Sequence, residues 1–136
     1  MTPLSPNAEP SGQLVVLIVD DNASNLKLAR DVLRADGITT IEATTGAEAI
    51  EAATGGIPDV ILLDLRLPDM DGLDVLHELK GRAATARIPV VALSALRTEG
   101  DPDWLLEAGF SGCLEKPITV RDFPSQVREH WRRSAV

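Results

Sequence analysis

Apolar residues fall along the chain in short unbroken runs, separated by stretches in which they recur at helical spacing. The first run, Leu14-Val15-Val16-Leu17-Ile18-Val19, is rich in β-branched residues and shows no apolar–polar alternation. Such a run suits a strand buried on both faces. Leu26, Leu28, Ala29, Val32 and Leu33 then recur with the period of a helix, and Gly37 is a stop signal. Ile38 to Ala43 reads as a second short strand. Thr45-Gly46-Ala47-Glu48 has the spacing of a capping box and opens an alanine-rich helix that Gly55-Gly56 stops. Val60-Ile61-Leu62-Leu63 is a third strand ending in Asp64, and a loop with Pro68 leads to Asp71-Gly72. The next helix carries Leu73, Leu76 and Leu79 on one face. Ile88 to Leu93 is a fourth strand ending in Ser94. Asp101-Pro102 has the form of an N-cap followed by proline at the first helical position, and that helix ends near Gly109. Gly112 to Glu115 is a fifth strand, followed by Lys116-Pro117. Thr119 caps a last helix reaching about Arg132. Pro124, about five residues into it, is expected to cost a hydrogen bond and to bend or fray the first turn.

Five strand–helix units predict an α/β fold, a doubly wound parallel sheet whose right-handed crossovers place helices on both faces. The site then belongs at the carboxyl ends of the strands, near the topological switch point. Residues 1–12, with prolines at 3, 6 and 10, read as a flexible tail, and residues 13–133 as one domain. The length of 136 residues suffices for one core and is short for two.

Composition narrows the setting. Hydrophobic residues make up 44% and charged residues 25%, which fits a soluble globular protein rather than a disordered chain. No apolar run approaches the roughly 20 residues of a membrane helix, and no basic stretch followed by an apolar one marks a secretory signal at the start. A single cysteine, Cys113, allows no internal disulfide and fits a reducing cytoplasm. The net charge of −8 makes the chain a poor partner for nucleic acid.

The informative pattern is which polar residues close the strands. Strand one ends in Asp20-Asp21, strand three in Asp64, strand four in Ser94 and strand five in Lys116. In a parallel sheet these ends share one edge. Three clustered carboxylates repel, at a cost of order several kcal/mol in a partly buried setting. Lys116 supplies one compensating charge, and a hard divalent cation would supply two more. Oxygen donors without a His/Cys cluster select Mg²⁺, for which Mn²⁺ can substitute, rather than zinc. His77 and His130 fall on helices and are read as surface residues. A Mg²⁺ site with a carboxylate, a lysine and a hydroxyl suits phosphoryl transfer, with one carboxylate as nucleophile.

Asp20-Asp21-Asn22, Leu62-Leu63-Asp64, Pro68-Asp69-Met70-Asp71-Gly72, Pro89 to Ala95, Glu107-Ala108-Gly109 and Lys116-Pro117-Ile118 stand in the order and at the separations of one family. From Leu14 to Arg132 the sequence resembles the response-regulator receiver family of two-component signalling. The resemblance implies a flavodoxin-like receiver fold of five helices and a five-stranded parallel sheet in the order 2-1-3-4-5. It implies that Asp64 is the phosphoacceptor, that Asp21 binds Mg²⁺ directly and Asp20 directly or through water, and that the Arg66 backbone carbonyl is a further ligand. Ser94 would bond the phosphoryl group and move toward it. Lys116 would pair with Asp64, its bond to Pro117 is expected to be cis, and Gly72 would permit a backbone turn that a side chain would obstruct.

It also implies a stand-alone cytoplasmic regulator rather than an enzyme, catalysing only its own phosphoryl transfer and autodephosphorylation. It would be phosphorylated by a sensor histidine kinase or a histidine phosphotransfer protein and read by a downstream protein target. It would contact no nucleic acid and no membrane, as a monomer or a phosphorylation-promoted dimer. The departure is Cys113, where many members carry Tyr or Phe. A thiol cannot fill that space, so the switch is expected to run through the loop after Ser94, with Trp104 as a contact on the output face or as ordinary helix packing. Two other function classes compete. A phosphorylation-independent pseudo-receiver has no need of repelling carboxylates, and a Mg²⁺-dependent phosphohydrolase wants a second carboxylate close after its nucleophile, where Leu65-Arg66-Leu67 stands instead. A flavin-binding domain would prefer a phosphate-cradling loop over the acidic one after strand one.

Overall fold

The computed structural model describes residues 14–94, 102–116 and 118–135. Its elements alternate as β1 (Val15–Val19), α1 (Ala23–Ala35), β2 (Thr39–Ala43), α2 (Gly46–Gly56), β3 (Val60–Asp64), α3 (Gly72–Lys80), β4 (Val90–Ser94), α4 (Pro102–Ala108), β5 (Gly112–Glu115) and α5 (Phe123–Ala135). All pairings are parallel, in the order β2-β1-β3-β4-β5. The order steps outward on both sides of β1 and β3, so the switch point lies between those two strands.

The unbroken apolar runs are explained by two cores, one on each face of the sheet. Alternate residues of each strand point to opposite faces. Leu17, Val19, Ile61, Leu63, Val90 and Ala92 pack under α2, α3 and α4, against Ala49, Ala53, Val75, Leu76, Leu79 and Leu105. Val16, Ile18, Val60, Leu62, Val91 and Leu93 pack under α1 and α5, against Leu26, Ala29, Leu33, Phe123 and Val127. Both faces of β1 and β3 are covered, and neither strand has room for a polar side chain until its last residue or the one beyond.

Several boundaries differ from the sequence expectation. After α1, Ile38 belongs to the helix stop rather than to β2. The Ile38 N–H donates to the Leu33 carbonyl and the Gly37 N–H to the Arg34 carbonyl, each at 3.0 Å, with Gly37 at φ 83°. This is a Schellman motif, and Leu33 and Ile38 are both buried in the core beneath α1. Leu28, expected on the apolar face, is 40% exposed. The Thr45 side chain caps α2 at the Glu48 amide, while Glu48 reaches past Thr45 to the amide and hydroxyl of Thr44. The proposed N-cap Asp101 lies outside the described residues, and Pro102 opens α4.

Pro124 lies at the start of α5 rather than about five residues inside it, and the turn from Thr119 to Asp122 is separate from the helix. Thr119 caps no long helix: its carbonyl closes a turn with the amides of Asp122 and Phe123, and α5 starts at Phe123. Pro124 is then the second helical residue, where an amide has no intrahelical acceptor to lose. His130 is not a surface residue either. It is half-buried over Gly112, its Nδ1 is buried without a hydrogen-bond partner, and burial lowers its pKa.

Gly55-Gly56 does not stop α2 by left-handed backbone. Both glycines are helical, and the left-handed residue is Ile57, at φ 41° and ψ 66° and 51% exposed. A β-branched residue in that conformation costs about 1–2 kcal/mol. Ile57→Gly should therefore raise the unfolding free energy by about 1 kcal/mol in a urea titration; a decrease would show that the apolar contacts of Ile57 outweigh its backbone strain.

Candidate functional site

The carboxyl edge of the sheet gathers the polar residues. The parallel register sets Val19 beside Leu63, so Asp20 follows β1 where Asp64 closes β3. Asp64 lies opposite Leu93, and Ser94 opposite Glu115, one residue before Lys116. Asp20 is 2% exposed and Asp64 8%, whereas Asp21 is exposed. The three carboxylates each offer an oxygen within 4.8 Å of the others.

One ammonium holds the two buried carboxylates. Lys116 Nζ is 3.0 Å from Asp20 Oδ2 and 3.0 Å from Asp64 Oδ2. Backbone amides take the remaining oxygens: Asn22 N–H donates to Asp20 Oδ1 at 2.9 Å and Arg66 N–H to Asp64 Oδ1 at 3.0 Å. The Asn22 side chain in turn caps α1 by accepting from the Asn25 amide at 3.0 Å, which fixes the turn that carries Asp20 and Asp21.

Three carboxylates facing one ammonium leave an excess of negative charge. Like charges about 4 Å apart at a partly buried site repel by about 4 kcal/mol. Burial pushes the Asp64 carboxyl up, and the Asp20 charge adds to it, against the lowering effects of the Arg66 amide and Lys116. Burial pulls the Lys116 ammonium down, but its bonds to Asp20 and Asp64 outweigh that and leave its pKa raised. An all-oxygen donor set with surplus negative charge matches a hard divalent cation such as Mg²⁺ and offers nothing to a thiophilic metal.

Gly72 shapes the loop beyond Asp64. Its N–H donates to the Leu65 carbonyl at 2.9 Å. A Cβ there would stand 2.8 Å from Leu65 Cα and 3.0 Å from the Asp64 carbonyl oxygen, so backbone would have to move. Ser94 closes β4, and its side chain, the loop 95–101 and Pro117 lie outside the described residues, as does the expected cis bond. Cys113 is half-buried on β5 against the core beneath α2, α3 and α4. Burial, then the Glu115 charge, push its thiol up, away from a reactive thiolate. Trp104 is 46% exposed on α4.

Sequence reasoning missed one residue near the site. Asp69 accepts from the Gly46 amide at 2.7 Å and the Ala47 amide at 3.0 Å, capping α2 from the loop after β3. No local spacing signals a cap supplied by a segment so far along the chain.

The model of the response regulator receiver domain matches residues 16–128. The chain belongs to the response regulator receiver family. It is 37% identical over 115 residues to the polar-differentiation response regulator DivK of Brucella ovis, covering 85% of this chain and 94% of that protein. Among solved structures, the receiver domain of Francisella response regulator 1452 superposes with a TM-score of 0.79 at 27% identity, covering 90% of this chain and 99% of that one. The receiver domain of sensor histidine kinase PA1611 from Pseudomonas aeruginosa PAO1 gives a TM-score of 0.79 at 28% identity, over 88% of this chain and 98% of that one. That structure has a magnesium ion coordinated in its active site cleft. Receivers are regulatory modules of two-component signalling, and the cluster of Asp20, Asp21 and Asp64 fits the family's metal site. No helix among the described residues is long and apolar enough to cross a membrane.

The raised Asp64 pKa makes a pH prediction. A carboxyl whose folded pKa lies above its unfolded value contributes stability below the unfolded pKa, about 3.9 for Asp, and loses it as pH rises through the folded value. In metal-free buffer, the stability of the wild type relative to Asp64→Asn should fall as pH rises from about 4 and level off once Asp64 is ionised. Urea titrations across that range test it; a difference that grows with pH would mean that Lys116 and the Arg66 amide outweigh burial.

Proposed function

We propose that the protein is a phosphorylation-dependent signalling switch that accepts a phosphoryl group on Asp64. The observation that carries this reading is Lys116 Nζ, 3.0 Å from both Asp20 and Asp64 within a cluster of three carboxylates. A half-buried ammonium on the phosphoacceptor's own oxygen is placed to stabilise charge on an incoming phosphoryl group.

Asp20, Asp21, Asp64 and the Arg66 carbonyl would hold Mg²⁺. When bound, the cation would neutralise the carboxylates and the phosphoryl oxygens. Transfer would form a bond from an Asp64 carboxylate oxygen to phosphorus and break the phosphorus–nitrogen bond of a phosphohistidine. The electron pair of that bond stays on the imidazole, which takes up a proton. Lys116 would follow the new charge, and Ser94 would bond the phosphoryl group. Donors of this chemistry are a sensor histidine kinase or a histidine phosphotransfer protein in the cytoplasm. The output would be a changed contact with a downstream protein, through Ser94, Cys113 and the exposed Trp104, and the chain would act as a monomer or as a dimer favoured by phosphorylation.

Intact-mass spectrometry after incubation with acetyl phosphate tests the reading. The expected result is one phosphoryl adduct on the wild type, absent without Mg²⁺ and absent in Asp64→Asn. An adduct that survives Asp64→Asn would move the acceptor elsewhere. No adduct from either acetyl phosphate or a phosphorylated phosphotransfer protein would favour a pseudo-receiver.

A further inference from the structure

The loop between Asp64 and α3 is held at both of its ends and at its tip. Near Asp64, the Arg66 N–H donates to Asp64 Oδ1 at 3.0 Å. The loop closes on itself through the Arg66–Asp71 bridge and the Gly72 N–H on the Leu65 carbonyl. At the tip, Asp69 uses both carboxylate oxygens: Oδ1 accepts from Gly46 N at 2.7 Å and Oδ2 from Ala47 N at 3.0 Å. Met70, beside it, lies over Gly46, where a Cβ would come within 2.6 Å of Met70 Sδ and 3.0 Å of Val75 Cγ2. The missing side chain at Gly46 thus leaves the space in which the tip of the loop seats against α2.

Helix α2 is already capped by its own chain neighbour. The Thr45 hydroxyl accepts from Glu48 N at 3.1 Å. Asp69 serves the two amides before that one, so the helix N-terminus, where backbone N–H groups and the helix dipole favour an anion, receives a carboxylate from another segment. Those amides hold Asp69 below the usual carboxylate range. The contact therefore does two things: it satisfies α2, and it fixes the loop that bears Arg66, whose N–H orients Asp64 and whose carbonyl is assigned above to the metal.

We propose that Asp69 is a positioning residue for the Asp64 site, anchoring the loop 65–71 to the N-terminus of α2. The proposal rests on the reading of Asp64 as phosphoacceptor. It makes α2 part of the site's support, since displacement of the loop around Asp64 must either carry the N-terminus of α2 with it or break the two hydrogen bonds to Asp69.

The test compares wild type, Asp69→Ala, Asp69→Asn and Thr45→Ala by amide resonances of ¹⁵N-labelled protein and by Mg²⁺ titration. Asp69→Ala should shift the amides of Arg66 and Gly72 and weaken Mg²⁺ binding by about tenfold, as loss of a supporting partner does at other metal sites. Asp69→Asn, with one acceptor oxygen in place of two, should fall between. Thr45→Ala removes a cap from the same helix without touching the loop; it should lower the melting temperature and leave Arg66, Gly72 and the Mg²⁺ affinity as in wild type. Asp69→Ala behaving like Thr45→Ala in both readouts would overturn the proposal. If Asp69→Ala does not fold, Asp69→Asn decides by the same criteria. A wild type that binds no Mg²⁺ would count against the phosphoacceptor reading instead, and the Arg66 and Gly72 amides would still decide the anchor.

Discussion

One ammonium stands between two buried carboxylates, and the arrangement of the carboxyl edge depends on it. Lys116 leaves β5 and reaches back to Asp20 and Asp64, at 3.0 Å from each. Without that charge, two nearly inaccessible anions would share one pocket at a cost that neither could escape except by protonation. With it, the pocket still carries more negative than positive charge. The site is therefore built around an unresolved repulsion, which favours a divalent cation; that cation together with Lys116 would then offset the charge of an incoming phosphoryl group.

The sheet makes the convergence possible. A parallel sheet covered on both faces excludes polar side chains from the interiors of β1 and β3, so ionisable groups gather where those strands stop. The β1–β3 register brings the end of one beside the end of the other. Gly72 then lets the backbone fold back over Leu65, at a distance that no side chain would tolerate. Capping residues finish the work: Asn22 fixes the turn after β1, and Asp69 ties the turn after β3 to α2.

Much of this was legible from the chain. Buried strands declare themselves by unbroken apolar runs, and the residues that end them are the candidate site, so the sequence alone places Asp20, Asp64 and Lys116 on one edge. What was not legible has physical causes. Proline at 124 reads as a helix breaker only if Thr119 starts the helix; a turn closed by the Thr119 carbonyl moves the start to Phe123 and removes the conflict. The glycine pair does mark the end of α2, but both glycines are helical, and the left-handed residue that closes the helix is Ile57, which no sequence rule favours there. His130 looked solvated because a helix position alone does not reveal the space that Gly112 leaves for it on β5. The Asp69 cap was invisible because its partners are remote in sequence, and local patterning carries no record of such contacts.

The most direct measurement is the melting temperature of the wild type across a magnesium series, beside Asp20→Asn. A cation that binds only the folded chain raises its stability by mass action. If the surplus charge around Lys116 is what the site is built to offset, the wild type should melt at progressively higher temperature as Mg²⁺ increases, and the variant should respond less. A flat series for the wild type, or an equal rise in Asp20→Asn, would contradict it.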